Sequence, residues 1–215
     1  MSSGVILVAA AITGYAVGAI SPAAALARLA GVDLRRVGSG NPGATNVRRA
    51  LGLRAGILVA VVDIAKGAVP AAAFGTVGRN VGMLAGFCAV IGHVTSPFLG
   101  GHGGKGAATT AGAVIGSFPA WAPGMFLVWF LVLALTRWVA LASVCAVASV
   151  LATALVTGAT PITLLWAAGL TAVVVERHRT NFRDFRGHLR GIRRPGSRSR
   201  RPPPPIRRTV EGGRS

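Results

Sequence analysis

A glycine-rich stretch from Val37 to Arg49, VGSGNPGATNVRR, has the residue types of an anion-binding loop. Glycines let a ligand approach the backbone closely and leave N–H groups to donate hydrogen bonds. Small polar side chains add donors, and two arginines add positive charge. The residues concerned are Gly38, Ser39, Gly40, Asn41, Gly43, Thr45, Asn46, Arg48 and Arg49. We expect this loop to bind a phosphate, and a solvated turn with ordinary arginines is the alternative.

The same glycines have the G-x-G-x-x-G spacing of a dinucleotide-binding loop, with Asp63 about twenty residues further on. That spacing is informative only between a strand and a helix of a soluble βαβ unit. Here the glycines follow a basic turn after an apolar run, and Asp63 lies inside the next apolar run. The sequence therefore does not predict a nucleotide site.

A second glycine-rich segment, GGHGGKG from Gly100 to Gly106, carries a single lysine just before an apolar run. It is not a Walker A motif, because Leu99 stands at the first glycine position and Gly106 stands where Ser or Thr is required. A helix that begins here would attract an anion to its N-terminus. We expect Gly103, Gly104 and Lys105 to contact substrate; a flexible hinge with a snorkelling lysine is the alternative.

Two histidines lie near the ends of apolar runs, His93 in IGHVTSP and His178 in ERHRTN. Histidines placed at the same depth beside small polar residues are candidates for a site. The chain has only five Asp and Glu residues, and no cluster of His, Cys and carboxylates suggests a metal. The sequence predicts neither a metal nor an organic cofactor.

Asp63 and Lys66 are three residues apart, on one face of a predicted span and well inside its apolar region. Ionisable groups at such depth must pair or face a polar cavity. We expect a structural ion pair.

These polar segments are separated by long apolar runs, which decide the fold class. The chain of 215 residues is 52% hydrophobic and 13% charged, where a soluble domain has roughly a quarter of its residues charged. Its mean hydropathy is +0.61. A membrane-spanning helix needs about 20 mostly apolar residues. The predicted spans are Val5–Leu29, Ala55–Phe74, Val81–Leu99, the short Ala107–Phe118, Pro119–Leu135, Trp138–Val156 and Ile162–Val175. We predict an all-α polytopic membrane protein.

The distribution of basic residues predicts the topology. Six arginines flank or fill the loop after the first span, and thirteen of the 23 Lys and Arg residues lie between Arg177 and Arg214. By the positive-inside rule both regions are cytoplasmic, which requires the short run to cross as well. We therefore predict seven spans, with the N-terminus outside and the C-terminus in the cytoplasm. The two glycine loops and the helix end at ERHRTN then meet on the cytoplasmic face.

With these motifs in place, the chain resembles the bacterial acyl-phosphate:glycerol-3-phosphate acyltransferases, the PlsY family, from about Gly14 to about Gly187. The motifs that carry the resemblance are GSGNPGATNVRRALG, DIAKG, GH, GGKGAAT and RHRTN. The resemblance implies an enzyme of phospholipid biosynthesis in the bacterial inner membrane, with its active site on the cytoplasmic face. Such an enzyme moves a fatty acyl group from acyl phosphate to the 1-hydroxyl of glycerol 3-phosphate, giving lysophosphatidic acid and phosphate without a cofactor or metal.

The resemblance also implies which residues act. The family's catalytic positions fall on Ser39, Arg49, Lys105, His178 and Asn181, and Thr45, Asn46, His93 and Ser143 match further family positions. Two departures from the family pattern stand out. Ser96 occupies a position where relatives usually have proline, and the usual Gly-x-Glu ending after the last motif is absent beyond Gly187.

The domain boundary is predicted at Gly187, with a membrane domain over residues 1–187. Residues 188–215 are rich in Arg, Pro, Ser and Gly, so we expect a disordered tail that is attracted to anionic membrane lipid. The clustering of positive charge around apolar spans does not favour a nucleic-acid partner. Two alternatives stay open at this point: a transporter of an anionic solute, and a family member without catalytic activity. Nothing in the sequence sets the oligomeric state.

Overall fold

A computed structural model describes residues 2–192 of the chain, and side chains as far as residue 182. Within these residues the fold is helical and contains no β-strand. Its helices are α1 (Ser3–Ala19), α2 (Pro22–Leu29), α3 (Ala44–Leu51), α4 (Leu53–Gly75), α5 (Arg79–Val94), α6 (Ala107–Ser117), α7 (Ala122–Thr136), α8 (Val139–Val156) and α9 (Pro161–Ile192). The all-α prediction is confirmed.

The chain divides into one compact unit that ends at Asn181 and a second that begins at Phe182. In the second unit, α9 continues as helix to Ile192, past the boundary predicted at Gly187. The rest of the predicted tail, residues 193–215, lies outside the described residues.

Five segments within the described residues are long and apolar enough to cross a membrane. They are Ser3–Leu29, Leu53–Gly75, Arg79–Leu99, Pro119–Thr136 and Val139–Val156. Large apolar side chains on them, such as Leu131 and Phe130, are exposed, as expected for surfaces that face lipid. The chain is therefore a polytopic membrane protein; seven spans and their orientation remain a prediction.

The first predicted span is divided in the structure by a break between α1 and α2. Pro22 begins α2 and has no N–H to continue the hydrogen bonding of α1. The hydroxyl of Ser21 instead accepts a hydrogen bond from the N–H of Ala24, at 3.2 Å. This caps the N-terminus of α2 and leaves the last carbonyls of α1 to find other donors.

The helices cross closely because small residues line their contacts. A Cβ on Gly14 or Gly18 of α1 would overlap the carbonyl oxygens of Ala85 and Ala89 on α5. Glycine at such crossings lets two backbones approach closely. The resulting van der Waals packing stabilises helix association in lipid, where no hydrophobic driving force brings helices together.

The short helix α6 lies deep in the bundle, against α4, α5 and α8. Its eleven residues extend only about 16 Å, about half of a bilayer's hydrocarbon thickness. Thr109 to Val114 are all buried, and Gly112 rests on the backbone of α4 at Ile64. Protein neighbours therefore surround this helix, and its N-terminus holds the lysine loop at one end of the bundle.

We predict that Gly18→Val destabilises the protein, because the new side chain meets the backbone of Ala89 and the helices must separate. A cost of about 1–3 kcal/mol or more is expected from overpacking. Thermal unfolding of the detergent-solubilised protein measures it. Gly4→Val in the same helix is the matched control, since nothing lies within 4 Å of its added Cβ. Equal unfolding midpoints for the two variants would contradict the account of this crossing.

Candidate anion-binding site at one end of the bundle

The first glycine loop is held in shape by one buried amide. Asn46, only 2% exposed, accepts a hydrogen bond from the Ser39 N–H at 3.2 Å and donates one to the Leu34 carbonyl at 3.1 Å. Gly38 and Gly40 both have positive φ, which glycine adopts without strain. The loop therefore turns sharply twice and leaves the Ser39 side chain exposed.

A short amphipathic helix, α3, presents the arginines that follow this loop. Val47 is fully buried and packs in a small apolar cluster with Val59 of α4, while Arg48 and Arg49 are exposed. The guanidinium of Arg49 lies beside Gly38, where an added Cβ would come within 3.3 Å of it. The Arg49 side chain therefore lies against the turn that carries Ser39. Thr45 and Asn41 are half-buried in the same segment.

The lysine loop, Gly100–Gly106, folds back onto the end of α5. The N–H groups of Gly103 and Gly104 donate to the carbonyls of Val94 and His93, at 3.1 and 3.2 Å. The ring of His93 packs against Gly104, where a Cβ would overlap its Nε2. Gly103 and Gly104 were predicted to contact substrate, and that stays a prediction; their N–H groups are already engaged within the chain.

Helix α9 clamps the lysine loop from the other side. Arg177 donates from Nη2 to the Gly103 carbonyl at 2.8 Å and from Nε to the Gly104 carbonyl at 3.2 Å. The ammonium of Lys105 donates to Oδ1 of Asn181. The prediction that these two motifs meet is confirmed by these contacts.

Arg177 itself was not identified from the sequence. It lies four residues before Asn181, and residues at that spacing share one face of a helix. The position of Arg177 on the same helix face as Asn181 was therefore the feature of the sequence that could have identified it.

The charges around Lys105 are of one sign. Burial, together with the nearby charges of Arg177 and Arg49, holds the pKa of Lys105 below its ordinary value of 10.5. The influence of Arg49 means that the first glycine loop also lies within electrostatic reach. Among residues 2–182, no carboxylate forms an ion pair with Arg49, Lys105 or Arg177. A bound anion would supply the missing negative charge.

His178 lies beside this cluster as a neutral imidazole. Burial lowers its pKa to about 4; a hydrogen bond to the Val174 carbonyl opposes this, and the charges of Lys105 and Arg177 add to it. The carbonyl can only accept, so Nδ1 carries the proton at this 2.8 Å contact. The other ring nitrogen, Nε2, is then an unprotonated acceptor at neutral pH.

Two predicted site residues, Ser143 and His93, lie buried in the bundle and not at the surface of the two loops. Ser143 is buried on α8, and the indole of Trp129 on α7 donates to its hydroxyl at 3.4 Å. Within the described residues, no hydrogen bond links Ser143 to either glycine loop. His93 is buried beneath the lysine loop, 3.6 Å from a carboxylate oxygen of Asp63. The predicted ion pair of Asp63 with Lys66 is confirmed, with N and O 2.9 Å apart.

An open cleft with a volume of about 640 Å³ adjoins the first glycine loop. Gly40 and Arg35 line one side, Arg28 of α2 another, and Leu99 and His102 approach from the start of the lysine loop. Asp33 adds a carboxylate to this lining, and apolar residues such as Ala27 and Leu34 complete it.

Fold and site together define an integral membrane protein with a cluster of cations at one end of its helical bundle. The family model for glycerol-3-phosphate acyltransferase matches residues 8–187. The chain therefore belongs to the glycerol-3-phosphate acyltransferase family.

Similar proteins of that name come from several bacteria. The protein of Aquifex aeolicus is 41% identical over 174 residues, covering 79% of this chain and 90% of that one. Glycerol-3-phosphate acyltransferase 1 of Deinococcus radiodurans is 40% identical over 185 residues, which cover 82% of this chain and 90% of that protein.

Two crystal structures of PlsY (YgiH), an integral membrane glycerol 3-phosphate acyltransferase, are similar to this fold. The glycerol 3-phosphate form has a TM-score of 0.82 at 38% identity, and the lysophosphatidic acid form 0.79 at 37%. Each covers 85% of this chain and 92% of the other. Because the chain belongs to a family of acyltransferases, the alternative of an anion transporter is disfavoured.

We predict that His178 stays neutral until the pH falls to about 4, since burial disfavours its charged form. Ring ¹⁵N chemical shifts of histidine-labelled protein report the charge directly, and the signal lost in His178→Gln assigns the residue. A midpoint near the ordinary value of 6.5 would contradict the buried, neutral state.

Proposed function

We propose that this protein transfers a fatty acyl group from acyl phosphate to the 1-hydroxyl of glycerol 3-phosphate, giving lysophosphatidic acid and phosphate. The observation that carries the proposal is the cation cluster of Arg49, Lys105 and Arg177, which is drawn from three separate segments and lacks a carboxylate partner in residues 2–182. Both substrates carry a phosphate. The related crystal structures in glycerol 3-phosphate and lysophosphatidic acid forms support the acceptor and product.

The first task of such a site is to hold two phosphates near each other against their repulsion. Lys105, Arg49 and the exposed hydroxyl of Ser39 supply charge and donors for this, and Asn181 fixes the lysine. Charge-assisted hydrogen bonds to phosphate are roughly twice as strong as neutral ones. We expect the loop residues Gly40, Asn41 and Thr45 to contact substrate as well, whereas Asn46 acts indirectly because its amide holds Ser39.

Once both substrates are bound, positioning supplies much of the catalysis. Acyl phosphate is an activated mixed anhydride, so its carbonyl needs little further activation. The glycerol oxygen forms a bond to the acyl carbon, the bond from that carbon to the phosphate oxygen breaks, and phosphate leaves with the electron pair. Holding the two reactants in line contributes on the order of 7–11 kcal/mol.

The proton of the attacking hydroxyl passes to a phosphate oxygen of the substrates. His178 has a separate role: its neutral Nε2 accepts a hydrogen bond from the 2-hydroxyl of glycerol 3-phosphate, which orients the acceptor and leaves the proton of the attacking 1-hydroxyl to the phosphate oxygen. A neutral histidine fits this task better than phosphate binding, for which it offers no charge. No metal or cofactor takes part in the proposed reaction.

The proposed setting is the bacterial inner membrane, with seven spans and the site on the cytoplasmic face. The cation cluster lies at the end of the bundle where the basic loop residues Arg28 to Arg54 are found. The positive-inside rule puts that end in the cytoplasm. There the water-soluble acceptor meets a lipid-soluble donor.

The reaction is tested with purified protein in lipid, labelled glycerol 3-phosphate, and palmitoyl phosphate or palmitoyl-CoA as donor. We expect lysophosphatidic acid from palmitoyl phosphate only. Lys105→Ala should lower kcat/KM by at least about 100-fold, the loss typical of removing one preorganised electrostatic donor. Ser39→Ala should also lose activity.

Arg79→Ala is the matched control for loss of a cation, because Arg79 begins α5 at the far end and lies over the ring of Phe118. It should leave turnover unchanged. Folded protein without turnover would leave an inactive family member; product from palmitoyl-CoA would overturn the proposed donor.

The lowered pKa of Lys105 predicts a distinct alkaline pH profile. The ammonium is lost as pH rises through a value below 10.5, so kcat/KM should fall there. A bound phosphate dianion favours the charged form of the lysine. The alkaline fall of kcat, which reports the substrate complex, should therefore lie at higher pH than the fall of kcat/KM. Lys105→Arg should abolish the limb, because arginine stays charged. An identical alkaline limb in wild type and Lys105→Arg would assign it to another group.

A further inference from the structure

The break between α1 and α2 leaves the carbonyls of Ala19 and Ile20 without helical partners, and donors from other segments satisfy them. The ammonium of Lys66 on α4 donates to the Ile20 carbonyl at 2.7 Å. The hydroxyl of Ser96, which follows α5, donates to the Ala19 carbonyl at 2.6 Å. Lys66 is 5% exposed and Ser96 1% exposed. The end of α1 is therefore fastened to both α4 and the segment that leads into the lysine loop.

Asp63 extends this contact toward the loop. Its carboxylate pairs with Lys66 at 2.9 Å and lies 3.6 Å from Nδ1 of His93. All three side chains are buried. Replacement of a buried ion pair by apolar residues is often neutral or stabilising, so the need for stability alone does not account for such a pair.

His93 connects this pair to the catalytic lysine. Its ring fills the space between the Asp63 carboxylate and Gly104, and its carbonyl accepts the Gly104 N–H at 3.2 Å. Lys105 is the next residue. The position of the His93 ring therefore bears on the backbone directly before Lys105, whose ammonium donates to Asn181.

We infer that Asp63, Lys66 and Ser96 are positioning residues that hold the lysine loop through His93 and the end of α1. Within residues 2–182, no hydrogen bond or ion pair joins any of the three to Arg49, Lys105 or Asn181, so they act through His93 and the end of α1. The inference rests on the proposed function, because it assigns these residues to the same reaction. Displacement of a reacting group by about 1 Å can cost about 100-fold in rate.

The main test is the double variant Asp63→Asn/Lys66→Met, which removes the pair without leaving one buried charge. We expect kcat per folded molecule to fall by about 10- to 100-fold, and the KM for glycerol 3-phosphate to change much less. Ser96→Ala, a milder change, removes only the hydrogen bond to Ala19 and should lower kcat severalfold in the same direction. It keeps the test decisive if the double variant does not fold.

A second measurement does not depend on turnover. An amine-reactive ester labels Lys105, and mass spectrometry of the peptide gives the rate. Labelling should accelerate in both variants, because a displaced loop frees the ammonium from Asn181. Trp166→Phe is the control: it removes a buried 2.9 Å hydrogen bond to the Met83 carbonyl, and within the described residues no hydrogen bond joins Trp166 to the lysine loop. It should lower the unfolding midpoint and leave kcat and labelling unchanged.

The two readouts separate the possible failures. Wild-type kcat and wild-type labelling in both variants would overturn the inference while the proposed reaction stands. Wild-type protein that labels as expected but gives no lysophosphatidic acid would overturn the proposed function alone. Faster labelling in Trp166→Phe, equal to that in the double variant, would reduce Asp63 and Lys66 to a general structural role and overturn the inference.

Discussion

Repulsion between cations at one end of an apolar bundle is the constraint on which the rest of the structure depends. Lys105 is half-buried and lies within electrostatic reach of Arg49 and Arg177. Neutral acceptors hold these cations: glycine carbonyls bind Arg177, and an amide oxygen binds Lys105. Because such acceptors fix geometry without neutralising charge, the cluster keeps the positive charge that the proposed binding of phosphate requires. A carboxylate in their place would stabilise the free protein and compete with the substrate.

The local motifs could be predicted from the sequence because their chemistry is local. Two glycine loops and one polar helix end indicated phosphate binding, and the positive-inside rule placed them on one face. The buried Asp63–Lys66 pair followed from helical spacing alone, and the structure confirms it. Hydropathy also marked the five long apolar segments correctly.

What the sequence could not give depends on contacts between distant segments. In the sequence, Arg177 is one of several basic residues near the helix end. Only the structure shows that it holds the lysine loop by a hydrogen bond to the Gly103 carbonyl. Asn46 looked like a phosphate donor, but its amide holds the loop. Ser96 looked like a departure from the family pattern at a proline position; in the fold it supplies a donor for the Ala19 carbonyl, which a proline could not do.

In the proposed function the first glycine loop and the lysine loop form one site, where Arg49 and Lys105 both attract the phosphate of glycerol 3-phosphate. Calorimetric titration with glycerol 3-phosphate of wild type, Arg49→Met, Lys105→Met and the double variant tests it most directly. If one anion contacts both cations, the loss of binding free energy in the double variant differs from the sum of the single losses by more than about 0.5 kcal/mol. Losses that add within that margin would place the two residues in separate sites and contradict the account.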